Sequence, residues 1–197
     1  VLVQLNDKLV YTGYKRNVTK RMPLGLAYLA SAAMAAGHDV VIVDGALDDL
    51  DVGQIVDATL KAGPHVVGIT CTTPLFPQLV RVVEELKRRR SDLYCVLGGP
   101  HVSSLPDASL NSSGADCVCI GEGERVFVDL LTCLARNEEP VGVSSICYRW
   151  EGAIKHTTPF RTKLWHSKAL PPPPDLDALP FPARQILRTQ EYVDYAR

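Results

Sequence analysis

Neither sign of charge dominates this chain. Its 21 Lys and Arg stand against 22 Asp and Glu, a net charge of −1 with a pI of about 6.6, and that balance gives no basic footprint for nucleic acid. No apolar run approaches the roughly 20 residues needed to span a bilayer, so no membrane partner is expected. Six cysteines are present, Cys71, Cys95, Cys117, Cys119, Cys133 and Cys147, and no two form a Cys-x-x-Cys pair. Their spacings suggest no metal site, and they read as reduced core residues of a cytoplasmic protein. Cys117 and Cys119 flank Val118 in a strand and so share one face of it. The chain opens on the strand-like Val1-Leu2-Val3-Gln4-Leu5 with no basic n-region and no initiator Met. No signal peptide is therefore expected, and the start reads as that of a trimmed chain. P-loop spacing is absent, and so is Gly-x-Gly-x-x-Gly at the first turn, which argues against a dinucleotide. No nucleophile, base and orienting group stand at a recognisable spacing, so catalysis by this segment alone is not expected.

What is present is a core. With 46% hydrophobic residues in 197, the chain can build one full-sized domain and a tail. Strand-like runs at 1–5, 39–44, 65–70, 94–97 and 116–120 alternate with helical patterns at 23–37, 51–62, 78–90, 105–111 and 124–136. Five such repeats predict an α/β fold, a doubly wound five-stranded parallel sheet with helices on both faces. The unbroken apolar run at 39–44 predicts a strand buried on both sides. The first helix, Ala-rich from Leu24-Gly25 onward, is slim enough to lie close to a sheet or a ligand. Lys87, Arg88, Arg89 and Arg90 complement a helix C-terminus. A hairpin turning at Glu151-Gly152 follows, then a Pro-rich extended stretch with Pro171 to Pro174. The expected division is a Rossmann-like domain at 1–140, a small hairpin extension at 141–157 and a linker at 158–197.

The chemistry gathers at three strand ends. Tyr94-Cys95-Val96-Leu97 runs into Gly98-Gly99-Pro100-His101, where the glycines let a ligand lie against the backbone and Pro100 ends the strand. Strand 65–70 empties into Thr70-Cys71-Thr72-Thr73, and strand 116–120 into Gly121-Glu122-Gly123-Glu124. Open α/β sheets bind ligands beyond the carboxyl ends of their strands. Hydroxyls, a flat glycine wall and a tight exposed turn suit a large, rigid, polar-edged ligand. His101 reads either as a ligand contact or as a surface hydrogen bonder. Glu122 reads either as a ligand acceptor or, with Glu124, as a cap of the next helix. His38 and His65 stand at strand entrances and read as structural.

Five motifs occur in order: Met22-Pro23-Leu24-Gly25-Leu26-Ala27-Tyr28-Leu29-Ala30, Val67-Gly68-Ile69-Thr70, Leu97-Gly98-Gly99-Pro100-His101, Gly121-Glu122-Gly123-Glu124 and Leu179-Pro180-Phe181-Pro182-Ala183-Arg184. This order resembles the N-terminal cobalamin (vitamin B12)-binding domain of cobalamin-dependent radical SAM enzymes over nearly the whole chain. The resemblance implies a flavodoxin-like cobalamin-binding fold covalently linked to a radical SAM barrel, which would carry S-adenosylmethionine and a [4Fe–4S] cluster. It implies a corrin over the strand ends and a nucleotide tail beside the glycine pair. The contacts it implies are Leu24, Gly25, Thr70, Cys71, Thr72, Thr73, Gly98, Gly99, Pro100, His101, Gly121, Glu122 and Gly123. The activity it implies is methylation of an unreactive carbon through methylcobalamin, with cyclisation or rearrangement in some members. The Asp-x-His-x-x-Gly run that supplies a lower cobalt ligand in other cobalamin proteins is missing. The first loop holds Lys8, Tyr11, Tyr14, Lys15, Arg16 and Asn17 instead, so a loop side chain or water is expected below cobalt. Two other readings stay open: a cobalamin-free docking or substrate-gating domain, and a flavodoxin-like module for a flavin or nucleotide.

Overall fold

The computed structural model describes residues 1–9, 20–157 and 175–195. Of the sequence expectations, the first-loop residues Tyr11, Tyr14, Lys15, Arg16 and Asn17 and the polyproline stretch at 171–174 lie outside that set. Seven strands form one sheet: β1 (Leu2–Gln4), β2 (Ile42–Asp44), β3 (Val66–Thr70), β4 (Tyr94–Gly98), β5 (Cys117–Cys119), β6 (Ile146–Trp150) and β7 (Ala153–His156). Their order is β2-β1-β3-β4-β5-β6-β7. The first five pair parallel, as the strand–helix alternation predicts. The hairpin does not stand apart from them. Strand β6 pairs antiparallel with β5 through Cys117↔Tyr148 and Cys119↔Ile146, which extends the expected five-stranded sheet to seven. Its two-residue turn has positive φ at both Glu151 (49°) and Gly152 (80°), the backbone that matches the twist of a tight hairpin.

Helices cover both faces, and alternate residues of each strand serve one face or the other. On one side α2 (Val52–Lys61), α3 (Phe76–Arg89), α4 (Pro100–Ser104) and α5 (Pro106–Ser113) pack over Val3, Val67, Ile69, Cys95, Leu97, Val118 and Cys147. On the other, α1 (Leu24–Ala35) and α6 (Glu124–Ala135) cover Leu2, Val96, Cys117, Cys119, Ile146 and Tyr148. Each fully buried Leu or Ile in these layers contributes about 1.5–3 kcal/mol. Cys117 and Cys119 share the α1/α6 face, as their spacing predicts. Helix α2 begins with a capping box: the Gln54 N–H donates to Asp51 Oδ1 at 2.9 Å, and the Asp51 N–H to Gln54 Oε1 at 2.9 Å.

Three details go beyond the sequence reading. Strand β2 is the sheet edge, with Val41 48% exposed, because a run of four apolar residues satisfies an edge strand as well as a central one. Helix α1 buries Leu26, Ala27, Ala30 and Ala33 and turns Leu24 and Met34 outward. Its surface is apolar nearly all round, so periodicity does not select the face. Pro100 ends β4 but also opens α4, at the helix position where a missing N–H costs nothing.

From Ala183 on, the chain packs back on the domain. The Ala183 N–H donates to the Ala27 carbonyl at 2.9 Å. Helix α7 (Thr189–Tyr195) buries Tyr192, whose hydroxyl donates to the Asp44 carboxylate at the end of β2. Arg188 pairs with Asp48 at 2.6 Å.

Candidate cofactor-binding groove

The strand order reverses between β1 and β3, and an open α/β sheet offers its ligand crevice at that switch point, beyond the carboxyl ends of the strands. A groove of about 480 Å³ lies there. Leu24, Gly25 and Leu29 of α1 form one wall, and Glu124 and Phe127 of α6 another; the ends of β3, β4 and β5 form the floor.

The two glycines of the β4 end do different work. Gly99 has φ +98°, and a Cβ there would lie 2.7 Å from the Cys71 carbonyl oxygen and 2.8 Å from Thr70 Oγ1. Only glycine fits this crossing. It lets the loops after β3 and β4 interlock, and the Cys71 N–H donates to the Gly98 carbonyl at 3.1 Å. A Cβ on Gly98, by contrast, would meet nothing within 4 Å. The same holds at Gly25, on the opposite wall. Both glycines keep open a space that ordinary side chains would fill. Gly68, mid-strand in β3, brings the floor up to Leu2, whose Cδ2 would sit 2.8 Å from an added Cβ. Gly123 admits Leu29 of α1, 3.0 Å from its would-be Cβ. The Gly121 N–H donates to Ser103 Oγ at 3.1 Å and ties the β5 loop to α4.

The polar equipment of the groove is sparse. Its charged side chains, among the described residues, are Glu122 and Glu124. Glu124 Oε2 is buried and has no hydrogen-bond partner among the described residues. A buried carboxylate oxygen without a donor is costly, and a ligand N–H or O–H in the groove would relieve that cost. Among the described residues no basic side chain lines the groove.

Of the thirteen expected contact residues, eight line the groove: Leu24, Gly25, Thr70, Gly98, Gly99, Gly121, Glu122 and Gly123. The other five do not. Cys71 turns its thiol into the α2/α3 core, where burial pushes it up to about 12. Thr72 is exposed beside it. His101 shares a hydrogen bond of 3.2 Å between Nδ1 and Thr73 Oγ1, and its ring lies 4.3 Å from that of Phe76. Thr73, Pro100 and His101 thus form an outer rim beside the groove. Sequence reasoning missed Gly68, Glu124 and Phe127 as lining residues. An isolated glycine inside a strand pattern is a signal of close approach and marks Gly68. Glu124 reads as a helix cap until its burial is known.

The B12 binding domain model matches residues 19–131. An uncharacterized methyltransferase of Pyrococcus horikoshii is 32% identical over 175 residues, 86% of this chain and 35% of that protein. Among solved structures, the cobalamin-dependent S-adenosylmethionine radical enzyme OxsB, with aqua-cobalamin and S-adenosylmethionine bound, superimposes with a TM-score of 0.76 at 18% identity, over 98% of this chain and 25% of that one. The radical S-adenosylmethionine methyltransferase TsrM from Kitasatospora setae, with cobalamin and a [4Fe-4S] cluster bound, gives a TM-score of 0.66 at 20% identity, over 86% of this chain and 30% of that one. The chain therefore spans about a third of the curated relative's length and less of these two structures.

Proposed function

The chain belongs to the B12 binding domain family, and from that premise we propose that the groove between α1 and α6 receives the nucleotide tail of cobalamin while the corrin lies over the ends of β3, β4 and β5. The observation that carries this is the cradle: Gly25 and Gly98 both line the groove and a Cβ on either would meet nothing within 4 Å, while a buried Glu124 oxygen in the same groove has no donor among the described residues. The donor set suits cobalamin, whose amide and hydroxyl groups offer N–H and O–H to carboxylates and whose bulk needs a wall without side chains. Gly98, Gly99, Gly121 and Gly123 give the tail backbone to lie against. Thr70, Glu122 and Glu124 orient it by hydrogen bonds. Leu24, Leu29 and Phe127 exclude water from it. Thr72, Thr73, Pro100 and His101 meet the corrin edge at the rim, and Cys71 contributes through its backbone.

Bound cobalamin supplies a cobalt centre that can carry a methyl group. The protein's part is to hold and orient it. With His101 held by Thr73 and Phe76, no histidine among the described residues lines the groove. The described lining would therefore hold cobalamin without placing a protein imidazole on the metal.

We infer further that the chain is the cofactor domain of a longer radical SAM enzyme, a methyltransferase acting on an unreactive carbon. Two things support that reading: the methyltransferase relative of about two and a half times this length, and the fold shared with TsrM and OxsB. S-adenosylmethionine and a [4Fe–4S] cluster would then belong to a separate radical SAM domain, with 158–197 as the linker leading to it. Within this chain, the segment from Ala183 to α7 is the docked foot of that connection.

The test is the visible spectrum of the protein after incubation with hydroxocobalamin and desalting. The expected result is corrin absorbance near one equivalent, without the bands of imidazole ligation. Failure of both the chain and the full-length protein to retain corrin would leave the domain a docking module.

A further inference from the structure

On the face of the sheet opposite α1 and α6, three side chains from three elements converge. Cys147 of β6 and His156 of β7 are direct cross-strand partners, and Asp107 stands in the first turn of α5. His156 Nε2 lies 2.8 Å from Asp107 Oδ1 and 3.8 Å from Cys147 Sγ, and Sγ lies 3.5 Å from the same Oδ1. The Arg149 guanidinium, bonded to the Leu110 carbonyl at 3.1 Å, is the cation facing the cluster from β6.

This is not a nucleophile set. In a Cys–His–Asp relay the ring takes the thiol proton on one nitrogen and holds the carboxylate with the other. Here one nitrogen faces both partners, so the three atoms point at a common spot. Their separations resemble the edges of a coordination tetrahedron. Bonds of about 2.3 Å to sulfur and about 2.0–2.2 Å to nitrogen and oxygen put ligand atoms about 3.4–3.6 Å apart. Two of the three edges are within about 0.3 Å of that range. The short one opens by rotating Asp107, whose side chain is 61% exposed. Thiolate and carboxylate together carry the charge that a divalent ion balances.

We propose that Asp107, Cys147 and His156 bind a divalent transition-metal ion of the zinc class, with water in the fourth position. Sulfur and imidazole nitrogen select Zn²⁺ over Mg²⁺ or Ca²⁺, which take oxygen. The ion would clamp the edge hairpin to α5, remote from the cofactor groove. A thiol and an imidazole must give up their protons to a metal, so binding strengthens as pH rises. Cysteine spacing concealed the site, because only one of its ligands is a cysteine.

The test uses the 197-residue chain free of corrin and stripped with a chelator, titrated with Co²⁺ and then Zn²⁺. The expected result is a thiolate-to-cobalt charge-transfer band that saturates near one equivalent and is abolished by Zn²⁺. His156→Gln and Asp107→Asn remove ligands that reach solvent, and each should weaken Co²⁺ binding at least tenfold while the far-ultraviolet circular dichroism stays unchanged. A missing charge-transfer band, or one equally strong in both variants, overturns the proposal.

Discussion

Replacing Gly98 by Val separates the groove from the fold. The two residues of the glycine pair are adjacent, yet the structure gives their substitutions opposite outcomes. An added Cβ at Gly98 meets nothing within 4 Å. The residue ends a β-strand, where a β-branched side chain is welcome and too stiff to swing aside. Folding stability should therefore change by less than about 1 kcal/mol. The new methyls enter a groove of about 480 Å³ and force the ligand to shift. Overpacking of this kind costs about 1–3 kcal/mol, which is about a 5- to 150-fold rise in Kd. Gly99→Ala is the contrast. Its Cβ would sit 2.7 Å from the Cys71 carbonyl oxygen at φ +98°. The backbone penalty of about 1–3 kcal/mol then adds to a clash of about 1–3 kcal/mol, a large share of a typical domain's stability. The assay pairs thermal unfolding with corrin retention after desalting, titrated to give Kd. Gly98→Val should melt like the parent and bind weakly, whereas Gly99→Ala should melt well below it. If Gly98→Val binds hydroxocobalamin as tightly as the parent, the groove is not the cofactor site.

Further outcomes follow from the same geometry. Glu124→Gln keeps the shape of the groove but weakens its acceptor, so corrin binding should fall by about 1.5–3 kcal/mol if the buried oxygen accepts from the ligand, read as Kd at constant melting temperature. Tyr192→Phe removes the donor to the buried Asp44 carboxylate. It should cost about 1–3 kcal/mol and lower the melting temperature by about 2–10 °C, with faster proteolysis at α7. Burial holds Cys71 and Cys95 as neutral thiols up to about 12, whereas in the unfolded chain they ionise near pH 8.5. The unfolded state then binds fewer protons, so their contribution to stability is intact below about pH 8.5 and declines from there towards pH 12. Urea midpoints across that range should fall with rising pH, and alanine at either position should flatten the decline.

Much of the fold can be read along the chain because it is written in local periods. Strand and helix alternate with clear breaks, and the parallel core, the two helical faces and the Glu151-Gly152 turn all follow from residues close in sequence. So does the family, since the glycine loops after β4 and β5 occur as intact words. Local signals did not extend to the choice of edge. The apolar run at β2 carries no mark of being outermost, and the hairpin's union with β5 depends on partners far apart in the chain. Helix α1, apolar on most sides, has its inward face selected by α6 and the sheet.

The site divides in the same way. Eight of the residues lining the groove were legible in the sequence, because ligand loops end parallel strands and are rich in small residues. Tertiary packing decided what each residue does. It made Gly99 a crossing point and Gly98 an opening, although composition treats them alike. It left Glu124 Oε2 without a donor in a groove, turned the Cys71 thiol into the core, and held His101 on the rim with Thr73 and Phe76. It also brought Asp107 to Cys147 and His156 across 40 and 49 positions. A backbone periodicity reports which face a side chain uses, but only the closed fold reports what stands opposite it.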